Sequence, residues 1–260
     1  MKYGFIGCGN MGGAIAKALC QSTKDILLSD RSGKGAAIAA ALGCAYGTVE
    51  EAANCDFVFL GVKPQGMAQV LSALQPALQT KKPVLISMAA GMTVSTIETL
   101  AGGDLPVIRM MPNTPVAVGR GMIQYCRNGL VTDEALQVFL QDMAPAGLLD
   151  AIQEDLMDAA TSVSGCGPAF AYLFLDALAQ GGAACGLSLE QATQYAAETL
   201  IGAAEMVKSQ GISPKELAQK VCSPGGSTIE GVKVLEERGL SSIVMDCVKA
   251  SFEKNKLLGK

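Results

Sequence analysis

Histidine is absent from this sequence of 260 residues. Its absence excludes Ser-His and Cys-His nucleophile pairs, histidine metal ligands and a histidine general acid or base. Any chemistry must therefore use hydroxyl, amide, carboxylate, lysine or arginine groups, or the protonation of the substrate itself.

Charge is sparse as well. Only 17% of the residues are charged, the formal net charge is −4, and no stripe of basic residues occurs. Nucleic acids are bound by clustered lysine and arginine, so nucleic acid is not an expected partner. The sequence also has no run of about 20 uninterrupted apolar residues, which a bilayer-spanning helix needs, so no membrane partner is expected.

Cysteine occurs nine times but never as a C-x-x-C pair. An odd number of scattered cysteines favours reduced, mostly buried thiols over a disulfide framework or a zinc site, and predicts a cytoplasmic protein. The N-terminal apolar stretch is interrupted by glycines from Gly7 onward. This interruption favours a strand–turn–helix unit over a signal peptide.

The start of the chain carries the pattern G-x-G-x-x-G between a short apolar run and a helical run. Gly7, Gly9 and Gly12 are its three glycines. The first permits a tight turn, the second lets the backbone approach a phosphate, and the third lets the helix pack against its strand. Free N–H groups at the helix start then face the anion. The pattern predicts a pyrophosphate site for a dinucleotide.

The residues after the second predicted strand bear on the choice of dinucleotide. Asp30 follows the strand at 26–29, close to the spacing of about 20 residues expected for a ribose contact. A carboxylate here favours the free 2′-hydroxyl of NAD, whereas Arg31, Ser32 and Lys34 offer the cations and donors that the 2′-phosphate of NADP needs. This segment leaves both cofactors open.

The first half of the chain alternates strands and helices. Further strands are predicted at 57–62, 84–87, 107–110 and 122–125, with a helix near 132–144. This alternation predicts an α/β fold with an N-terminal Rossmann-type doubly wound sheet. Ligands bind such a sheet at the C-terminal strand ends. Those ends carry Gly7–Gly12, Asp30, Lys63, Ala89–Gly91 and Asn113, so we expect these residues to meet on one rim.

Strand patterns disappear from about Glu154 onward. Helices are predicted at 155–164, 168–186, 189–210, 214–221, 228–238 and 241–257. We therefore expect an NAD(P)-binding domain at 1–152 and an all-helical substrate-binding and dimerisation domain at 153–260. The helix at 168–186 is apolar nearly all round, which predicts that a second copy of the chain covers it.

Two loops of the helical half combine glycines with hydroxyl residues just before a helix. They lie at 162–170 and 222–228. Free N–H groups and hydroxyls at a helix start suit a small carboxylate. The alternative is an ordinary helix cap, with Ser227 or Thr228 as the N-cap residue. Two such loops in a domain attached to a nucleotide site favour the carboxylate.

Several motifs, in order along essentially the whole chain, resemble pyrroline-5-carboxylate reductase. They are Gly4–Met11, Val62–Pro64, Ala89–Gly91, Met111–Pro115, Ser164–Phe170, Ser223–Glu230 and Val234–Glu236. The resemblance implies reduction of 1-pyrroline-5-carboxylate to L-proline with NADPH or NADH. It also implies a dimer interlocked through the helical domains, and a larger ring such as a decamer.

The resemblance also implies roles for individual residues. Cofactor contacts are implied for Ile6, Gly7, Cys8, Gly9, Asn10, Met11, Asp30, Arg31, Ser32, Thr48, Gly61, Val62, Lys63, Pro64, Met88, Ala89, Ala90 and Asn113, the last near the nicotinamide. Substrate contacts are implied for Glu154, Ser223, Gly225, Gly226, Ser227 and Thr228. Two positions depart from the usual family pattern: Cys166 replaces a serine and Phe170 a tyrosine, and each removes a hydroxyl.

The implied chemistry agrees with the absence of histidine. A protonated cyclic imine is already electrophilic, so catalysis depends mainly on proximity to the nicotinamide. We expect Thr228 to hydrogen-bond the ring nitrogen, and the turn at 223–228 to face the nucleotide fold across a shared cleft. Two alternatives stay open: a reductase of a related cyclic imine or small ketoacid, and a non-enzymatic protein that senses NAD(P).

Overall fold

A computed structural model describes residues 1–258, in which eight strands form one sheet. The strands are β1 (Tyr3–Ile6), β2 (Ile26–Ser29), β3 (Ala45–Tyr46), β4 (Phe57–Leu60), β5 (Val84–Ser87), β6 (Val107–Met111), β7 (Gly121–Arg127) and β8 (Gly147–Ala151). Their order in the sheet is β3-β2-β1-β4-β5-β6-β7-β8. The doubly wound sheet predicted from the sequence is confirmed.

Three features of the sheet differ from the prediction. The strand expected at 57–62 ends at Leu60, where the backbone turns toward the next helix. Strand β7 runs antiparallel to β6, because only a short 3-10 turn, Thr114–Val118, joins them and a parallel return needs a long crossover. Strands β3 and β8 were not predicted, since both are short or partly exposed and carry little apolar pattern.

Helices cover both faces of this sheet. They are α1 (Asn10–Leu19), α2 (Lys34–Leu42), α3 (Val49–Ala53), α4 (Pro64–Lys81), α5 (Val94–Leu100), α6 (Asp133–Met143) and α7 (Met157–Ser164). A hydrophobic core lies on each face of the sheet, and alternate residues of β4 point into one or the other. Phe59 packs with Phe5 in the first core, with ring centroids 4.4 Å apart, and Leu60 belongs to the second core, which contains α4. Each such buried side chain contributes about 1.5–3 kcal/mol. This packing on both faces fixes the positions of the C-terminal strand ends.

The remaining helices are α8 (Gly167–Ala184), α9 (Leu189–Gln210), α10 (Pro214–Val221), α11 (Ser227–Glu237) and α12 (Leu240–Leu258). The sequence predicted all five within one or two residues. Local capping explains this accuracy, since Ser188 and Ser213 each form a capping box at a helix start. Gly211 ends α9 in the left-handed conformation that glycine favours.

The chain forms two compact units. One comprises residues 1–166 with the described residues from Ser251 onward, and the other comprises 167–250. The domain boundary expected between 152 and 153 stays a prediction.

The helical unit of residues 167–250 buries little of its apolar surface. Only Ala179, Ala192 and Ala196 are fully buried there, whereas Leu173 is 71% exposed and Met245 is 64% exposed. The stretch Glu154–Ala184 is even long and apolar enough, by length and composition alone, to cross a bilayer. So much exposed apolar surface indicates that something outside this chain covers it.

Candidate active site

The glycine turn between β1 and α1 has the geometry that its pattern predicts. Gly7 lies at φ +101°, and a Cβ there would come within 2.7 Å of the Gly61 carbonyl oxygen. A Cβ on Gly12 would overlap the Gly7 carbonyl. A Cβ on Gly9, by contrast, would meet nothing within 4 Å. Gly7 and Gly12 therefore allow close packing, while Gly9 leaves open space beside the backbone.

Two helices that follow adjacent strands, α1 after β1 and α4 after β4, begin without a side-chain cap. Gly9 is the N-cap of α1 and Lys63 is the N-cap of α4, and neither provides a capping hydrogen bond. The first N–H groups of α1 are thus available to an anion. Helix α4 offers fewer, because it begins with Pro64, which has no N–H, and the Gly66 N–H donates to the Lys63 carbonyl at 2.9 Å. A cavity of about 670 Å³ opens beside Gly9, Asn10 and Lys34, and its volume lies in the range of ligand pockets.

The carboxylate of Asp30 organises the turn after β2. It accepts hydrogen bonds from the backbone N–H groups of Ser32 and Gly35, 3.0 and 2.8 Å long, and from the hydroxyls of Ser32 and Tyr46. Partial desolvation pushes the pKa of Asp30 upward, but these hydrogen bonds outweigh it and hold the pKa below its ordinary value. Asp30 is therefore ionised, and its own loop occupies its acceptor sites.

Beside Asp30, the side chains of Arg31 and Lys34 are exposed and form no ion pair within residues 1–258. Thr48 has a structural role here, because it caps α3 in a reciprocal capping box with Glu51. Its contact with a cofactor stays a prediction.

The strand ends meet at one edge of the sheet, as predicted. Strands β2, β1, β4, β5 and β6 are adjacent and parallel, so the residues that follow them share this edge. Asn113 lies there, 8% exposed, with both ends of its amide engaged. Its Oδ1 accepts from the Met122 N–H at 2.9 Å, and its Nδ2 donates to the Ser164 carbonyl at 2.9 Å.

The expectation that the loop at 162–170 offers free hydroxyls and N–H groups is wrong. Ser162 and Ser164 end helix α7, and their hydroxyls donate to the carbonyls of Asp158 and Ala160 four residues earlier. The N–H groups of Gly165 and Cys166 both donate to the Thr161 carbonyl. Because the helical hydrogen bonding continues through this segment, these hydroxyl and N–H groups already have partners and are not free for a ligand.

The turn at 223–228 is different. Gly225 lies at φ +75°, and Gly226 is the N-cap of α11, so the alternative that Ser227 or Thr228 caps this helix is wrong. The hydroxyls of Ser223, Ser227 and Thr228 form no hydrogen bond in the described part of the chain. With the uncapped N–H groups of α11, they remain free for a ligand. That this turn faces the nucleotide edge stays a prediction.

Glu154 follows strand β8 and is held by two groups. Its Oε1 accepts from the Val94 N–H at 2.7 Å and forms an ion pair with Arg109 at 3.0 Å. Arg109, in β6, is 3% exposed and was not among the residues predicted from the sequence. The signal that could have found it is a lone arginine inside an otherwise apolar strand.

The chain matches two family profiles. Residues 154–258 match the profile described as pyrroline-5-carboxylate reductase dimerisation, and residues 2–91 match one described as NADP oxidoreductase, coenzyme F420-dependent. The apolar stretch Glu154–Ala184 starts where the dimerisation match starts, so it is no sign of a membrane protein.

Full-length relatives carry the same name. The chain is 38% identical to pyrroline-5-carboxylate reductase of Aquifex aeolicus, covering 99% of this chain and 97% of the relative. It is 37% identical to the Escherichia coli enzyme of that name, covering 100% and 98%. Its fold matches the crystal structure of Plasmodium falciparum pyrroline carboxylate reductase with NADP bound, with a TM-score of 0.91, 33% identity and coverage of 100% and 98%.

Proposed function

The chain belongs to the pyrroline-5-carboxylate reductase family, and from this premise we propose how its residues perform the reduction of 1-pyrroline-5-carboxylate to L-proline, the last step of proline biosynthesis. The protein is an oxidoreductase that uses NADPH. The reported relatives are reductases by name, and none of them supports a non-enzymatic sensor.

The edge of the sheet fits a phosphorylated dinucleotide. The backbone of Ile6–Met11 binds the pyrophosphate, because Gly9 leaves open space there and α1 starts uncapped. Arg31 binds the 2′-phosphate, since Asp30 is already occupied by its own turn and Arg31 is exposed and unpaired. Ser32 contributes once its hydroxyl turns from Asp30 to the phosphate. Gly61–Pro64, Met88–Ala90 and Thr48 line the rest of this site, and Asn113 lies at the nicotinamide end.

The turn at 223–228 binds the substrate. The free N–H groups of Ser227 and Thr228 hold its carboxylate, while the Gly226 N–H donates to the Ser223 carbonyl at 3.0 Å and shapes the turn. The hydroxyl of Thr228 hydrogen-bonds the ring nitrogen and orients the imine. The observation that carries this assignment is the free hydroxyl of Thr228 at an uncapped helix start. Bound NADPH supplies the hydride. Because a protonated imine is already electrophilic, these residues need only bind and orient it, and no histidine is required.

The assay that tests this function follows NADPH oxidation with the five-membered cyclic imine acid. A small ketoacid serves as the control substrate, and NADH as the control cofactor. We expect turnover with the imine and NADPH and little with the ketoacid. Turnover of the ketoacid alone would assign the protein to another reductase class. Tight binding of NADPH without any turnover would favour a sensor.

The helical domain forms a homodimer. We infer that dimers assemble further into a ring such as a decamer, as the resemblance implies, and that the enzyme is soluble and works in the cytoplasm. All nine cysteines are free thiols, which agrees with a reducing compartment. Light scattering on the purified protein measures the size of the assembly, and a mass of two chains would contradict the ring.

A further inference from the structure

Arg109 is a buried cation in the middle of an apolar strand. Its guanidinium lies 3.0 Å from Glu154 and 3.7 Å from Asp158, and its side chain is 4% exposed. A buried charge persists only when it is paired. Both partners of Arg109 come from one short segment, which contains the first turn of α7. Arg109 therefore joins β6 to the start of this helix.

Other contacts join the same segment to its surroundings. Glu154 also accepts the N–H of Val94 at the start of α5. Asn255 donates to the Asp158 carbonyl at 3.3 Å and to the Ser162 hydroxyl at 3.1 Å. Yet only Arg109 supplies a charge to this segment among residues 1–258, so its loss would leave two carboxylates without a counterion.

The other end of α7 is held by polar groups of the sheet. The Ser164 carbonyl accepts from Asn113, and the single proton of the Ser164 hydroxyl is shared between the Gln124 Oε1 at 2.8 Å and the Ala160 carbonyl at 2.9 Å. Asn113 and Gln124 are both buried, 8% and 4% exposed. A buried amide keeps one orientation as long as its partners stay in place.

The contacts at the two ends of α7 come from residues that are close together in the chain. Arg109 and Asn113 are four residues apart, which corresponds to roughly 13 Å of extended chain. Asp158 and Ser164 are six residues apart in a helix, which corresponds to roughly 9 Å. One stretch of chain thus holds α7 at its start and at its end, and the two contacts fix the position of this helix along β6.

We propose that Arg109 is a positioning residue for the reduction. By pairing with Asp158 and Glu154 it fixes α7, and the end of α7 holds the amide of Asn113 in one orientation at the nicotinamide end. This inference rests on the proposed function, which places Asn113 there. Loosening the start of α7 lets the Ser164 carbonyl shift and frees the Asn113 amide. The pyrophosphate turn at Gly7–Gly9 takes part in none of these hydrogen bonds and ion pairs, so we expect the affinity for NADPH to change little.

The test compares Asp158→Asn and Arg109→Lys with the wild-type enzyme. Asp158→Asn removes one charge and keeps the size of the side chain, while Arg109→Lys keeps the charge but cannot reach two carboxylates at once. We expect kcat to fall about ten-fold in both, since small misplacements at a reacting centre cost up to about a hundred-fold. The Kd for NADPH and the KM for the imine should change less than about two-fold. The matched control is Arg127→Gln. It removes an arginine of the neighbouring strand β7 that is paired with Asp133 of α6, and it should keep the wild-type kcat.

A double variant separates positioning from general stability. If Arg109 acts through Asn113, Asp158→Asn should lower kcat no further once Asn113→Ala is present. Multiplicative effects in the double variant, or an unchanged kcat in Asp158→Asn, would overturn the proposal. Asp158 is partly exposed, so Asp158→Asn is expected to fold. It therefore tests the proposal even if Arg109→Lys does not fold. An inactive wild-type enzyme would instead refute the proposed function.

Discussion

Hydroxyl groups of this chain differ in whether the fold leaves them free. Ser162 and Ser164 look like ligand groups in the sequence, yet both donate to carbonyls of their own helix. Thr228 lies one residue inside α11, after a glycine cap, and makes no hydrogen bond among the described residues. A polar group that has no partner within the chain can bind a substrate without first breaking an internal bond.

We predict that Thr228→Ala lowers kcat for the imine by about ten- to a hundred-fold, because a hydrogen bond to a charged group contributes about 1.5–3 kcal/mol. The Kd for NADPH should stay the same. Thr228→Ser keeps the hydroxyl and is the matched control, with near-normal kcat expected. Steady-state kinetics and cofactor fluorescence measure both quantities. Unchanged turnover in Thr228→Ala would remove this hydroxyl from the mechanism.

At the scale of secondary-structure elements, two glycines of the N-terminal strand–turn–helix unit have different roles. Gly7 has a positive φ and touches the backbone at Gly61, so it is needed for the fold. Gly9 has an extended backbone that any residue adopts and faces open space. Its lack of a side chain therefore matters only to a ligand.

These two glycines give a matched pair of variants. Gly9→Ala should leave the melting temperature within about 1 °C of wild type and raise the Kd for NADPH at least about ten-fold, because the added methyl group occupies the space of the pyrophosphate. Gly7→Ala should instead lower the stability by about 2 kcal/mol or more, because a positive φ and a clash with Gly61 act together. Thermal unfolding and fluorescence titration measure the two effects. Normal NADPH affinity in Gly9→Ala would show that the cofactor binds elsewhere.

At the scale of the whole molecule, the two compact units differ in how much apolar surface they bury. The nucleotide-binding unit contains two full cores on either side of its sheet. The helical unit has only three fully buried alanines. A unit with so small a core is not expected to be stable alone, so dimerisation and folding of the helical domain should be coupled.

We predict that Leu173→Glu, at a 71% exposed position of α8, converts the dimer to a monomer and makes the helical domain melt at a lower temperature. A charge buried in an apolar interface is costly unless it is paired. Val118→Glu, at a 76% exposed position of the nucleotide-binding unit, is the control and should keep the dimer. Analytical ultracentrifugation distinguishes the two outcomes. A Leu173→Glu dimer with wild-type stability would place the interface on another face.

Local sequence signals account for much of the fold and part of the site. The periodicity of apolar residues, the glycine turn and the serine caps act within a few residues of each other, so the strands β1, β2, β4, β5 and β6, the helices α8–α12 and the open turn at Gly9 were all predictable. The turn at 223–228 belongs to this group as well, since its glycines and hydroxyls are neighbours in the chain.

Contacts between distant residues account for the rest. Arg109 meets Glu154 across 45 positions and Ser164 meets Gln124 across 40, and no local pattern links either pair. The antiparallel direction of β7 and the capture of the Ser162 and Ser164 hydroxyls are, by contrast, local effects, of a short connection and of carbonyls four residues earlier in the same helix. Apolar period and backbone conformation are properties of neighbouring residues, whereas the partner of a buried charge or amide depends on which elements the folded chain brings side by side.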